Sequence, residues 1–194
     1  MTSVRLSSVA MRRRYRWLNI AVVVGSALLC TVLLPMRLPG MVLLGVGPSW
    51  LLMWLVVWSV QRNGVEGAIA GFILGLIQDG LTGYFPTHTV GLTLVGFLTA
   101  SIQKQRFIQE DFVSVAIIVF GMTVIAQTFM ALQISAHQLL SPTSPYPGLP
   151  EIWLQHQRIA LSSAILSSLW APAIYYPLSR WWAHYEQVMT PPSG

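Results

Sequence analysis

Residues 64–83 read Gly-Val-Glu-Gly-Ala-Ile-Ala-Gly-Phe-Ile-Leu-Gly-Leu-Ile-Gln-Asp-Gly-Leu-Thr-Gly. Wound as a helix, the stretch sets Gly67, Gly71, Gly75, Asp79 and Gly83 in one row, because residues four apart share a face. In water each helical glycine costs about 1 kcal/mol relative to alanine, so such a helix would be poor. In a bilayer the backbone must hydrogen-bond within its own segment, and small residues let a neighbouring helix come close. The stretch therefore reads as a membrane-spanning helix built to be packed against. A small-xxx-small row alone marks ordinary packing; Asp79 adds to it. A carboxylate at mid-bilayer is disfavoured by roughly 2.5–3.5 kcal/mol. Asp79 lies about 21 Å along the helix from Val65, toward the far edge of a hydrocarbon core about 30 Å thick. A negative charge at a helix C-terminus also opposes the helix dipole. The residue needs a partner, a water path or a proton, which makes it a candidate functional residue.

Composition agrees with the membrane reading. Only 9% of the 194 residues are charged and 54% are hydrophobic, with a mean hydropathy of +0.62. Ordinary globular chains carry about 25% charged residues. The net charge of +5 would suggest nucleic acid on a soluble domain, but here the basic residues flank apolar segments, so no nucleic-acid partner is expected. The single cysteine, Cys30, leaves no intrachain disulfide and no cysteine-based metal cluster. Lipidation at Cys30 is not expected either, because Leu29 stands where a lipoprotein signal needs a small residue.

Six apolar segments follow a basic arm at residues 1–16, which carries Arg5, Arg12, Arg13, Arg14 and Arg16. No small-x-small cleavage site follows the arm, so it reads as the start of an uncleaved anchor. The expected spans are 17–34, 40–60 (bent at Gly47-Pro48), 65–81, 88–102, 111–134 and 159–182. Pro172 and Pro177 are expected kinks in the last, and residues 183–194 form a tail. With six spans and an inner N-terminus, nine basic residues face the cytoplasm and only Arg37 and Arg158 face outward. The excess of basic residues inside assigns both termini to the cytoplasm.

On the outer side, residues 82–88 join the third and fourth spans beside Asp79. His88 and Arg37 are the candidate partners of that carboxylate; alternatively, Thr87 and His88 simply start the fourth helix. The longest loop, 135–157, contains Pro142, Pro145, Pro147 and Pro150. These bias it toward extended backbone, which either presents Tyr146 and Trp153 to a partner or passively returns the chain to the membrane. Gln127 and Gln133 in the fifth span require hydrogen-bond partners within the bundle.

Several chemistries lack their residues. An aspartyl protease needs a second intramembrane acid, and a serine protease needs a nucleophile turn with a histidine at depth. Zinc would want His and Glu at i+3 or i+4 on one helix, whereas His88, His137, His156 and His184 are scattered. No phosphate-binding glycine loop occurs. No catalytic residue, metal or cofactor is assigned.

The run Gly75-Leu76-Ile77-Gln78-Asp79-Gly80-Leu81-Thr82-Gly83, within a glycine-rich third helix and followed by a Gly91-containing apolar helix, resembles the signature of the MreD family of rod shape-determining membrane proteins. The resemblance covers residues 17–182, with its specific core at 67–91. Family members usually follow the last glycine with a Leu-Gly-containing turn, where this chain has Tyr84-Phe85-Pro86-Thr87-His88. The resemblance implies a non-enzymatic scaffold in the bacterial inner membrane. Its partner would be MreC, a single-span protein with a large periplasmic domain. It would act alongside MreB, the glycosyltransferase RodA and a class B penicillin-binding protein in lateral peptidoglycan synthesis. It also implies an all-α, six-helix fold similar to the substrate-binding subunits of energy-coupling-factor vitamin transporters, which makes such a subunit the alternative function. On the scaffold reading, the row Gly67, Gly71, Gly75, Asp79 and Gly83 is expected to seat another polypeptide.

Overall fold

A computed structural model of the protein describes residues 2–36, 41–83, 87–102, 112–140 and 148–189, with the side chains of the first helix described from residue 13 onward. Among the described residues six helices occur in the order α1 (Thr2–Leu33), α2 (Trp50–Ser59), α3 (Gly64–Thr82), α4 (His88–Ile102), α5 (Phe112–Leu140) and α6 (Leu149–Met189). Four are long and apolar enough to cross a bilayer: α1 over Arg13–Leu33, α3, α5 over Val113–Leu140, and α6. The other two are shorter, α2 about 15 Å and α4 about 22 Å at 1.5 Å per residue.

Neighbouring helices run antiparallel. The Trp54 indole N–H donates to Ser26 Oγ at 2.8 Å, joining α2 to α1. The Trp181 indole donates to Asn19 Oδ1 at 3.2 Å, joining α6 to α1. Gly67 lies on Gly96 and Gly75 on Thr89 between α3 and α4. The α1–α2, α3–α4 and α5–α6 connections therefore gather at one end of the bundle, taken below as its top.

At the centre stands α2, which contacts every other helix. Its sequence, Trp-Leu-Leu-Met-Trp-Leu-Val-Val-Trp-Ser, is apolar on all sides, the pattern of a helix with no solvent face, and nine of its ten residues are buried. Trp54 and Trp58 stack with ring centroids 6.0 Å apart. Lipid is as apolar as these side chains, so close packing rather than a hydrophobic gradient holds α2 in place.

Two expected boundaries are corrected. Residues 40–60 do not form one bent span: α2 begins only at Trp50, and the described residues before it fold into a two-residue turn. Leu43 and Val46 exchange backbone hydrogen bonds at 2.9 Å across that turn, with Leu44 (φ 53°) and Gly45 (φ 84°) in the left-handed region. Gly47 and Pro48 then keep the chain from starting a helix earlier. Such irregular backbone is tolerated at membrane depth only where protein satisfies it. Here α6 does so: Ser167 Oγ accepts the Ser49 N–H at 2.9 Å, and Ser163 Oγ lies 2.9 Å from Ser49 Oγ.

The second correction concerns the expected loop 135–157, most of which is helical. Residues 135–140 continue α5 and residues 149–157 begin α6. Pro150 sits in the first turn of α6, where a missing N–H costs nothing, and Glu151 complements the dipole there. The Ile152 N–H bonds the Gly148 carbonyl at 3.1 Å. Trp153 is therefore a helical side chain rather than one on an extended strand; Tyr146, Pro142, Pro145 and Pro147 lie outside the described residues. At the chain's start α1 runs back to Thr2, so the basic arm is helical and continuous with the first span. The expected spans 65–81 and 88–102 correspond to α3 and α4 within a residue. α6 continues as helix through Pro172 and Pro177.

Candidate functional site

The glycine row faces α4 of the same chain. A Cβ placed on Gly67 would overlap the Gly96 carbonyl, and one on Gly96 would overlap the Gly67 carbonyl. At Gly71 it would overlap the Leu92 carbonyl and stand 2.9 Å from Thr93 Cα; at Gly75 it would overlap Thr89 Cα. Backbone lies against backbone along three turns, which only glycine permits. The row is thus occupied by α4, and no face along Gly67, Gly71 and Gly75 remains open for another polypeptide. Gly96 is the counterpart that sequence reading missed; its signal was a second glycine five residues beyond Gly91. Gly83 plays a different part. A Cβ placed there would meet nothing within 4 Å, but its φ of 67° places it in the left-handed conformation that ends α3, its N–H bonding the Asp79 carbonyl at 2.8 Å.

The same packing brings Asp79 to the first turn of α4. Asp79 Oδ1 accepts the His88 backbone N–H at 2.6 Å and lies 3.0 Å from His88 Nδ1. Oδ2 accepts the Thr89 N–H at 3.1 Å and the Thr89 hydroxyl at 2.5 Å. Helix α4 starts without enough partners for its leading N–H groups, and Asp79 supplies two acceptors from a different helix. The unfavourable position at the end of the α3 dipole is offset by the positive end of α4. His88 and Asp79 are thus in contact, and His88 also starts the helix, so the two expectations for His88 hold together. Arg37 lies outside the described residues.

A second side chain completes the cap. Gln133 on α5 accepts the Thr87 N–H and hydroxyl on Oε1, each at 3.2 Å, and donates Nε2–H to the Thr87 carbonyl at 3.2 Å. The three leading N–H groups at Thr87, His88 and Thr89 are therefore held by one residue of α5 and one of α3. This answers the requirement of Gln133 for a partner. The pairing itself was hidden, because the two positions lie 46 residues apart.

Below the cap lies a cavity of about 60 Å³. Ser49, Gln78, His88, Gln127 and Gln133 give it a polar wall against Leu51 and Leu92. That is room for a few waters, far short of the 300 Å³ or more of a site that encloses a small organic ligand. Among the described residues no group of three or more His, Cys, Asp or Glu side chains converges. The arrangement fixes the start of α4 against α3 and α5.

No curated protein and no solved structure matches the chain. A family model described as rod shape-determining protein MreD matches residues 11–169. That range holds α2–α5 entire, most of α1 and half of α6, with the whole capped glycine seam inside it. The chain belongs to the MreD family of rod shape-determining membrane proteins.

Proposed function

We propose that this chain is a non-enzymatic scaffold of the cell-elongation machinery in the bacterial inner membrane. It crosses the membrane six times with both termini inside, in a fold similar to the substrate-binding subunits of energy-coupling-factor transporters. It binds an MreC-like protein and, through it, works beside MreB, RodA and a class B penicillin-binding protein in lateral peptidoglycan synthesis.

The observation that carries this reading is an apolar surface raised above the lipid. Arg158 and Arg180 on α6 are about 33 Å apart along the helix, enough to bracket a hydrocarbon core about 30 Å thick. Above Arg158 stand Leu139, Leu140 and Leu154, which are 70, 84 and 55% exposed, and Leu44, 81% exposed, lies beside Leu154. Leu44, Leu154 and Arg158 line one groove between the 43–46 turn and α6. Acyl chains do not reach this level, and exposed apolar groups in water mark protein contacts. On the N-in topology this end is periplasmic, where the large domain of an MreC-like partner would lie. The cavity beneath the α4 cap, about 60 Å³, is too small to enclose a vitamin.

The test is co-purification. The chain is extracted in mild detergent with an MreC-like protein from the same cells, beside a variant carrying Leu139→Ser, Leu140→Ser and Leu154→Ser. The wild type should retain the partner, and the variant should lose it while keeping its melting temperature. Equal retention by both would remove the raised surface from the proposal. Failure of the wild type to retain the partner would remove the MreC-like reading itself.

A further inference from the structure

Gln127 is half-buried in the apolar span of α5, and no hydrogen-bond partner for its amide occurs among the described residues. Beside it, a crevice of about 380 Å³ runs between α5 and α6. Its floor is Ala131 and Ala160, both buried; its rim is Thr128, Gln157 and Leu161, all exposed. The small floor residues account for the opening, because two alanines face each other where larger side chains would fill the gap.

The crevice is graded along the bundle. On α6 the lining runs downward from Trp153 through His156 and Gln157 to Ala160 and Leu161, about 12 Å at the helical rise. Arg158 falls within that stretch and marks where hydrocarbon gives way to headgroups. Hydrogen-bonding groups therefore line the part at headgroup depth and just below, while Val124 and Leu161 close the deeper part. Thr128 Oγ1 donates to the Val124 carbonyl at 2.8 Å, which leaves its oxygen to accept. His156 Nδ1 lies 3.0 Å from the Ile152 carbonyl, which can only accept, so Nδ1–H donates there and Nε2 is left for another partner. The Gln127 and Gln157 amides, for which no protein partner occurs among the described residues, supply donors. Among the described residues no Lys, Arg, Asp or Glu lines the crevice.

We infer that this crevice is a binding site for a glycerophospholipid of the top-facing leaflet. The lipid's ester and phosphodiester oxygens meet the amide N–H groups of Gln127 and Gln157, and the first carbons of its chains lie on Val124 and Leu161. Three observations select a lipid over other occupants. The crevice is open along its rim to the lipid-facing side of the helices, it is polar above and apolar below, and its volume falls within the small-ligand range but is too small for a transmembrane helix. The site is separate from the raised leucines and shares only Gln127 with the cavity beneath the Asp79 cap, so it stands whether or not an MreC-like partner binds.

The test uses the full chain in nanodiscs of phosphatidylethanolamine and phosphatidylglycerol, doped with a phospholipid carrying a diazirine next to the glycerol backbone. After illumination and digestion, adducts are mapped by mass spectrometry. Labelling should concentrate on residues 124–131 and 153–161 over the outward face of α3 at Ile69, Ile73 and Leu76, which is equally lipid-exposed but lacks a crevice. Gln127→Leu should lower site labelling roughly threefold to tenfold, the effect of losing one hydrogen bond. Ala131→Phe, which fills the floor, should bring it down to the α3 level. Should either variant fail to fold, Gln157→Leu on the exposed rim carries the same prediction as Gln127→Leu. Labelling spread evenly over α1, α3 and α5–α6, or labelling of the crevice that none of these substitutions changes, would overturn the inference.

Discussion

Gly71→Ala is the substitution that asks most of the seam. The added methyl would stand 2.7 Å from the Leu92 carbonyl carbon and 2.9 Å from Thr93 Cα, where ordinary contact is about 3.5–4 Å. Every obstructing atom is backbone, so no rotamer change relieves the clash, and α3 and α4 must part by about 1 Å. A displacement of that size stretches the His88 and Thr89 N–H bonds to Asp79, now 2.6 and 3.1 Å, beyond useful hydrogen-bond length. Bonds to a charged group contribute about 1.5–3 kcal/mol each. Alanine returns about 1 kcal/mol of helix propensity, which leaves a net loss of about 3 kcal/mol. Gly80→Ala on the same helix and Gly121→Ala on α5 are the controls, since nothing lies within 4 Å of either position. They should be neutral or stabilising by up to about 1 kcal/mol. Thermal unfolding of the isolated chain in detergent reads all three variants. If Gly71→Ala unfolds with Gly80→Ala, the seam does not hold the fold and the reasoning fails.

The remaining predictions concern the cap and the top of the bundle. Asp79→Asn turns an NH₂ group toward donors of His88 or Thr89 and should cost about 2 kcal/mol; a melting temperature equal to wild type would refute the capping role. Gln133→Leu strips Thr87 of one acceptor and one donor, so it should cost about 1–3 kcal/mol and speed hydrogen exchange at the Thr87 amide, whereas unchanged exchange would count against the clamp. Leu44→Gly removes a side chain from a φ of 53° and should raise stability by about 1 kcal/mol; a drop in melting temperature would show that Leu44 is held by packing instead.

Where residues in contact also shared a periodic pattern, the sequence was informative. The i+4 glycines and the apolar run around them defined α3 to within a residue, and the helix start at His88 was equally legible. Pattern failed where the cause of structure lay elsewhere in the chain. The apolar run at 40–60 looks like one span, but Leu44 and Gly45 turn the backbone, and Ser49 at its end is held by Ser167 at its N–H and Ser163 at its hydroxyl, more than a hundred residues away. The segment 149–157 looked like loop because Pro150 was grouped with three other prolines expected to bias an extended backbone, although its place in the first turn makes it a helix starter. For the site, Asp79 was singled out by the cost of a carboxylate in lipid, and its contact with His88 was one of two stated candidates. Gly96 and Gln133 could be recognised only once the antiparallel pairing of α3, α4 and α5 was known.

That pairing changes what the family signature means. A glycine row ending in an acid invites the reading of a socket for a foreign helix, and loss of a partner on mutating it would look like proof. In this chain the socket is filled by α4, and the acid is spent on the N-terminus of the same helix. Damage to the row therefore reaches any partner only through the chain's own fold. A partner must use faces the fold leaves open, and these fall into two physical classes. The outward residues of α1 and α3 are apolar and lie at lipid depth, where acyl chains satisfy them at no cost. Leu139, Leu140 and Leu154 are equally apolar but, on the proposed topology, stand above the lipid, where another polypeptide would cover them. On the proposed function the pressure to assemble would reside in these leucines, while the glycine seam holds the bundle beneath them in shape.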